Sequence, residues 1–150
     1  MRFAINGFGR VGRTLLRVYA SREDARARLT LAAINEIADA DTVAHLARYD
    51  SNYGRYPGEI ARAASSLVID QCSVPLSHVA EVALLPWQQH QIDLVLECTG
   101  AFTDRITAEQ HLQAGAARVL FSQPAESDVD ETIVYGVNSD SLSANMTGVS

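Results

Sequence analysis

The chain has 150 residues, 47% hydrophobic and 20% charged, with a formal net charge of −6. This is the composition of one globular domain with a sizeable core, not of a disordered segment. The negative charge disfavours a general nucleic-acid or anionic-membrane surface, no apolar run approaches the ~18 residues of a membrane span, and no charged-then-apolar leader opens the chain.

Arg2 to Ile5 reads as a short strand, Asn6-Gly7-Phe8-Gly9-Arg10-Val11-Gly12 as a glycine-rich turn, and Arg13 onward as a helix with Leu15, Leu16 and Tyr19 apolar. Strand, G-x-G-x-x-G turn and helix in this order are the context of a dinucleotide-binding fingerprint. Gly7 permits the sharp turn, Gly9 lets a pyrophosphate approach the backbone, and Gly12 lets helix pack on strand. The helix N-terminus then offers unpaired N–H groups to phosphates.

Ser21-Arg22-Glu23-Asp24 is polar and ends the helix, and Leu29 to Ile34 is a continuous apolar run, as in a buried parallel strand. These segments make one βαβ unit with a right-handed crossover. Glu36 follows Gly12 by 24 positions. An acid about 20 residues beyond the glycines accepts hydrogen bonds from the adenosine ribose, and its charge favours NAD over NADP.

Asp39 to Arg48 has helical spacing, with Asp39 or Asp41 able to cap it. Tyr49 to Gly58 reads as a loop whose tyrosines suit a contact between subunits. Ser66–Ile69 and Cys72–Leu76 read as strands around an Asp70-Gln71 turn, an antiparallel excursion between two βαβ halves. His78 to Trp87 is irregular, with Leu84-Leu85-Pro86-Trp87 packing as an anchor. Ile92–Glu97 is a buried strand that brings Cys98, Thr99 and Gly100 to the carboxyl edge of the sheet, where ligands bind in doubly wound folds. Thr103 or Asp104 caps the next helix, whose face includes Ile106, His111 and Leu112, and Gly115 ends it. Arg118–Ser122, Ile133–Val137 and Met146–Ser150 read as strands, with a helical turn starting at Asn138 or Ser139. The predicted fold class is therefore α/β, a Rossmann-type, mainly parallel sheet with helices on both faces and a small antiparallel excursion. A strand running into Ser150 suggests a piece of a longer protein.

Cys72 and Cys98 form no CxxC pair, and reduced thiols fit a cytoplasmic protein. Cys98 reads as a buried filler rather than a nucleophile. His45, His78, His90 and His111 are scattered, so no metal site is predicted. His45 and His111 read as packing or surface residues on helices, and Asp128 to Glu131 as a solvated acidic loop.

Ala4-Ile5-Asn6-Gly7-Phe8-Gly9-Arg10-Val11-Gly12-Arg13 resembles the signature of the glyceraldehyde-3-phosphate dehydrogenase superfamily. Ala33-Ile34-Asn35-Glu36, Tyr49-Asp50-Ser51 with Gly54, Glu97-Cys98-Thr99-Gly100 and Tyr135-Gly136-Val137-Asn138 extend the match in order along the chain. Ile34 to Ala40, Leu85-Pro86-Trp87, Cys98-Thr99-Gly100 and Val119 to Pro124 resemble the erythrose-4-phosphate dehydrogenase branch. The phosphorylating glycolytic branch usually carries Asp at the position of Glu36.

The resemblance implies NAD as cofactor and, in the full-length enzyme, oxidation of D-erythrose 4-phosphate to 4-phosphoerythronate, toward pyridoxal 5′-phosphate. The alternatives are the glycolytic glyceraldehyde-3-phosphate enzyme and a non-catalytic nucleotide-binding module. The implied cofactor residues are Asn6, Gly7, Phe8, Gly9, Gly12, Asn35 and Glu36. To these it adds Arg10 and Val11 at the pyrophosphate turn, Thr99 and Gly100 beside the cofactor, and Ser122 toward the nicotinamide. Ala80 stands seven residues before Trp87, where the family usually has an Arg near the adenine. The family's Asn-Ala-Ser-Cys-Thr-Thr-Asn motif, whose Cys attacks the aldehyde with a downstream His as base, is expected to follow Val149-Ser150. Residues 1–150 alone are thus expected to form the NAD-binding domain, to contain no catalytic residue and to be inactive. A homotetramer is implied for the full-length protein.

Overall fold

The structure, a computed structural model, describes residues 1–150. Its centre is β1 (Arg2–Asn6), buried from Phe3 onward. Successive side chains of a strand point to opposite faces. Accordingly Phe3 and Ile5 join one apolar cluster with Leu16, Ile34 and Val43, while Ala4 joins a second with Val82, Leu85, Trp87 and Val95. Helices therefore cover both faces of the sheet.

β1 pairs in parallel with β2 (Thr30–Asn35) on one side and β8 (Leu94–Glu97) on the other. Beyond β2 come β7 (Cys72–Ser77), β6 (Ser66–Ile69) and β5 (Ile60–Ala63); beyond β8 come β9 (Val119–Phe121) and β10 (Gly148–Val149). The order β10-β9-β8-β1-β2-β7-β6-β5 is parallel from β10 to β7 and antiparallel from β7 to β5. The strand order reverses between β1 and β8, which opens a crevice beyond their carboxyl ends. The parallel sheet and the antiparallel excursion are as predicted. Asp70 and Gln71 turn it with φ of 48° and 71°, the left-handed pair that two-residue hairpins use.

Helix α1 (Arg10–Ser21) starts three residues before its predicted Arg13, so Gly12 lies inside its first turn. A second helix, α2 (Glu23–Arg28), follows where only a polar break was predicted. It buries no residue, so no apolar period marked it, but its acidic first turn and basic last turn match the helix dipole. Asp39 caps α3 (Ala40–Arg48) by accepting from the Asp41 and Thr42 N–H groups, and Asp104 caps α5 (Arg105–Gln113) by accepting from Thr107 N–H.

Other predicted elements are corrected. The 49–58 segment is a small hairpin, β3 (Tyr49–Asp50) with β4 (Gly54–Arg55), closed by Asp50 Oδ1 accepting from Asn52 and Tyr53 N–H. β5 was not predicted, because only Ile60 of its four residues is buried. Leu84 and Ile106 face solvent, at 66% and 68% exposure, while Leu85, Trp87 and His111 are buried. Short α4 (Trp87–His90) opens on Trp87. Ile133–Val137 is not a strand. Val134 N–H donates to Asn138 Oδ1 at 2.6 Å and Gly136 N–H to Ser139 Oγ at 2.9 Å. Side-chain acceptors thus satisfy N–H groups that a ladder would need, and Tyr135 is left 96% exposed.

Candidate functional site

The carboxyl ends of β1, β2 and β8 carry Asn6, Asn35 and Glu97 in register. Beyond them lies a cleft of about 280 Å³, whose lining includes Asn6, Gly7, Gly9, Asn35, Glu36 and Thr99. Six of the twelve predicted cofactor residues therefore meet in one cavity. Apolar Ile37, Val79, Val82, Leu85 and Phe102 form most of the remaining wall, with Ala80, Cys98 and Ala101 completing it.

The glycine turn is shaped by two kinds of constraint. Gly7 has φ +85°, and a Cβ there would lie 2.5 Å from Thr99 N. A Cβ on Gly12 would lie 2.4 Å from Gly7 O. Both glycines are required by the protein's own packing. Gly9 is different: a Cβ there would meet nothing within 4 Å, and its φ of −70° is ordinary. Its missing side chain leaves open backbone on the cleft wall, the shape a phosphate group needs. The adjoining N-terminus of α1 has no side-chain cap and no acid in its first turn, whereas α3 and α5 both have Asp caps. Arg10 and Val11 are the first residues of that open turn, exposed to solvent, and their N–H groups are available to an anion.

Glu36 faces this turn. Its Oε2 accepts from Phe8 N–H at 2.8 Å and its Oε1 from Ala38 N–H at 3.2 Å. A carboxylate offers about four lone-pair sites, so acceptor capacity remains for hydroxyl groups of a ligand. Phe8 contributes its backbone; its ring is buried in the core.

Asn6 and Asn35 line the cleft but are spent on the fold. Asn6 Oδ1 accepts from Asn35 Nδ2 at 2.8 Å, and Asn6 Nδ2 donates to Glu97 Oε2 at 2.6 Å. Asn35 Nδ2 also donates to Val79 O, and its Oδ1 accepts from Ser77 Oγ and Val79 N–H. They hold the strand ends together and brace the cleft wall.

Ser122 and Val11 lie outside the cleft. With Leu96, Phe121, Gln123 and Ile133 they line a second groove, of about 460 Å³, which meets the glycine turn at Val11. Gly100, with φ +74°, is exposed where the chain leaves the β8 edge. An elongated ligand crossing the turn would span cleft and groove.

Sequence reasoning missed the group at the floor of the site. Glu97 is 1% exposed and accepts from four donors: Thr99 N–H at 2.8 Å, the Thr99 hydroxyl, Asn6 Nδ2, and His111 Nε2 at 3.0 Å. His111, fully buried on α5, accepts from Trp87 Nε1–H at 2.9 Å through Nδ1. An indole N–H can only donate, so Nδ1 must accept and Nε2 carries the proton toward Glu97. Burial pushes the Glu97 carboxyl up, but the bonds from His111, Thr99 and Asn6 outweigh it, and its pKa lies below the usual range. The available signal was a charged residue closing an otherwise apolar strand.

Cys98 is buried beside this group. Burial raises its thiol to about 11, against a smaller opposing effect of the Ser122 hydroxyl. A thiol so placed stays protonated at neutral pH and is a poor nucleophile. Cys72 is exposed at the β6–β7 turn. No group of three or more potential metal ligands is present, and no helix is long and apolar enough to cross a membrane.

Comparison with known families places the cleft in context. Residues 1–105 match the family described as glyceraldehyde 3-phosphate dehydrogenase, NAD binding domain.

Proposed function

The chain belongs to the glyceraldehyde 3-phosphate dehydrogenase family through its NAD-binding domain, and from that premise we propose that it is the cofactor-holding part of an NAD-dependent erythrose-4-phosphate dehydrogenase. The observation that carries the cofactor assignment is the Glu36 carboxylate, bonded to Phe8 N–H, in the same cleft as the bare backbone of Gly9. In this reading Glu36 accepts from the adenosine ribose hydroxyls and repels a 2′-phosphate. The pyrophosphate lies over Gly9 and the open turn at Arg10 and Val11. The nicotinamide reaches the groove of Val11 and Ser122, with Thr99 and Gly100 at the crossing. NAD supplies a hydride acceptor; the residues named here bind and orient it.

The proposed substrate is D-erythrose 4-phosphate, oxidised to 4-phosphoerythronate. Support comes from the resemblance of Ile34 to Ala40 and of Val119 to Pro124 to that branch, with Glu rather than Asp at position 36. Neither cysteine of residues 1–150 is set up to attack an aldehyde: Cys98 is buried with its thiol raised, and Cys72 sits away from the cleft. We therefore place the nucleophile and the substrate pocket outside these residues. The exposed Val134, Tyr135, Val137 and Leu142 offer apolar surface for packing in the homotetramer we propose for the whole protein.

The test has two parts. Calorimetric titration is expected to show NAD binding more tightly than NADP, with Glu36→Gln narrowing the preference about tenfold. Tighter NADP binding by the wild type would overturn the role of Glu36. For the substrate, kcat/KM of the enzyme that carries this domain is expected to be higher for erythrose 4-phosphate. A higher value for glyceraldehyde 3-phosphate, dependent on inorganic phosphate, would identify the glycolytic activity instead.

A further inference from the structure

We propose that Glu97 is a positioning residue for the cofactor, fixing the Thr99 edge of the cleft, and that only a carboxylate can do this. The proposal rests on the reading that NAD occupies this cleft. Its own basis is the direction of every hydrogen bond around Glu97.

All four groups that face the carboxylate donate to it, and three of them, all but the Thr99 hydroxyl, cannot reverse. Thr99 N–H is backbone. The Asn6 amide cannot flip, because its Oδ1 accepts from Asn35, whose own Oδ1 is held by Ser77 and Val79. The His111 ring cannot change tautomer, because its Nδ1 accepts from Trp87. Donors thus converge on two acceptor oxygens from β1, from the segment just after β8, from α5 and, through Trp87, from α4. A Gln at position 97 would turn its NH₂ either toward Thr99 N–H or toward the buried Asn6 and His111 donors, setting donor against donor in both orientations.

The consequence reaches the cleft through Thr99. The Thr99 backbone lies under Gly7, where even a Cβ would sit 2.5 Å from Thr99 N. Thr99 Oγ1 in turn accepts from Ala101 N–H at 3.2 Å, ordering the start of the next segment. Releasing Thr99 from Glu97 therefore frees the surface on which the glycine turn rests. That surface and the turn are opposite sides of one binding site, so a loose Thr99 weakens the cofactor even in a folded protein.

The experiment compares wild type, Glu97→Gln and His111→Gln, each under conditions where it unfolds cooperatively. Glu97→Gln is expected to raise the Kd for NAD about tenfold or more. His111→Gln keeps a donor for Glu97 and an acceptor for Trp87, and is expected to stay within about threefold. The chain has one Trp, so its single indole N–H resonance reports the wiring: it should keep its hydrogen-bonded, downfield position in Glu97→Gln, because His111 Nδ1 still accepts from Trp87, and an upfield move there would overturn the fixed tautomer on which the proposal stands. Wild type that binds no NAD would overturn the cofactor reading and this proposal with it. Wild-type binding matched by Glu97→Gln would overturn this proposal alone. If Glu97→Gln does not fold, Thr99→Ser and Thr99→Val decide, because Ser keeps the hydroxyl that donates to Glu97 and Val removes it. A Kd raised severalfold in Val and not in Ser supports the proposal, and a Kd that changes alike in both, or in neither, overturns it.

Discussion

Adding the same methyl group at Gly7 and at Gly9 should produce opposite phenotypes. At Gly7 an alanine must adopt φ +85° and place its Cβ 2.5 Å from Thr99 N and 2.8 Å from the Cys98 carbonyl carbon. The left-handed conformation costs about 1–2 kcal/mol, and forcing a methyl against backbone costs about 1–3 kcal/mol more. The stiffer unfolded chain returns only ~0.4–1 kcal/mol. The net loss is about 2–4 kcal/mol, a large part of a typical domain's 5–15 kcal/mol, or a drop of ~5–15 °C in Tm.

At Gly9 the Cβ meets nothing. The loss at a helix N-cap, about 0.5–1 kcal/mol, is offset by a similar entropic gain in the unfolded chain of ~0.4–1 kcal/mol. Stability should therefore stay within about 0.5 kcal/mol of wild type. The methyl would instead occupy the backbone surface that the pyrophosphate approaches. An overpacking penalty of about 1–3 kcal/mol there raises the NAD Kd ~5–150-fold. Urea denaturation followed by Trp87 fluorescence measures the first effect and calorimetry the second. Gly9→Ala binding NAD as well as wild type, or Gly7→Ala unfolding at the wild-type midpoint, would refute the reasoning.

Two further outcomes follow from the groups at the strand ends. The Glu97 carboxyl has a folded pKa below its ordinary value of 4.5, so its stabilisation is complete above that value and is lost as pH falls through the lower folded one; denaturation midpoints should fall as pH drops below about 4.5, and a midpoint constant down to pH 3 would count against the network. The thiols should differ in reactivity: at pH 8 a thiol reagent should label exposed Cys72 rapidly and buried Cys98, raised to about 11, only after denaturation, so two fast equivalents from native protein would be the contrary result.

Much of the site was legible because its signals are local. The turn from Asn6 to Gly12, the acid at Glu36, the caps at Asp39 and Asp104 and the hairpin at Asp70-Gln71 each depend on a few neighbouring residues and on backbone sterics that sequence spells out. The apolar runs before Asn35 and Glu97 marked buried parallel strands for the same reason. Where local patterns misled, a competing local bond was responsible, as with the Asn138 and Ser139 acceptors that take the N–H groups of Val134 and Gly136.

By itself, then, the sequence determined the dinucleotide turn, the acid that faces it and the family to which both belong, since adjacency along the chain is enough to build them. Only the tertiary structure decided what stands beneath the turn. Trp87, Glu97 and His111 come from three separate elements, and nothing in their spacing links them. The sheet register places Glu97 beside Asn6, and packing of α5 brings His111 to it. A buried carboxylate must be met by donors wherever they lie in the chain, and that requirement can be read only once the chain has folded.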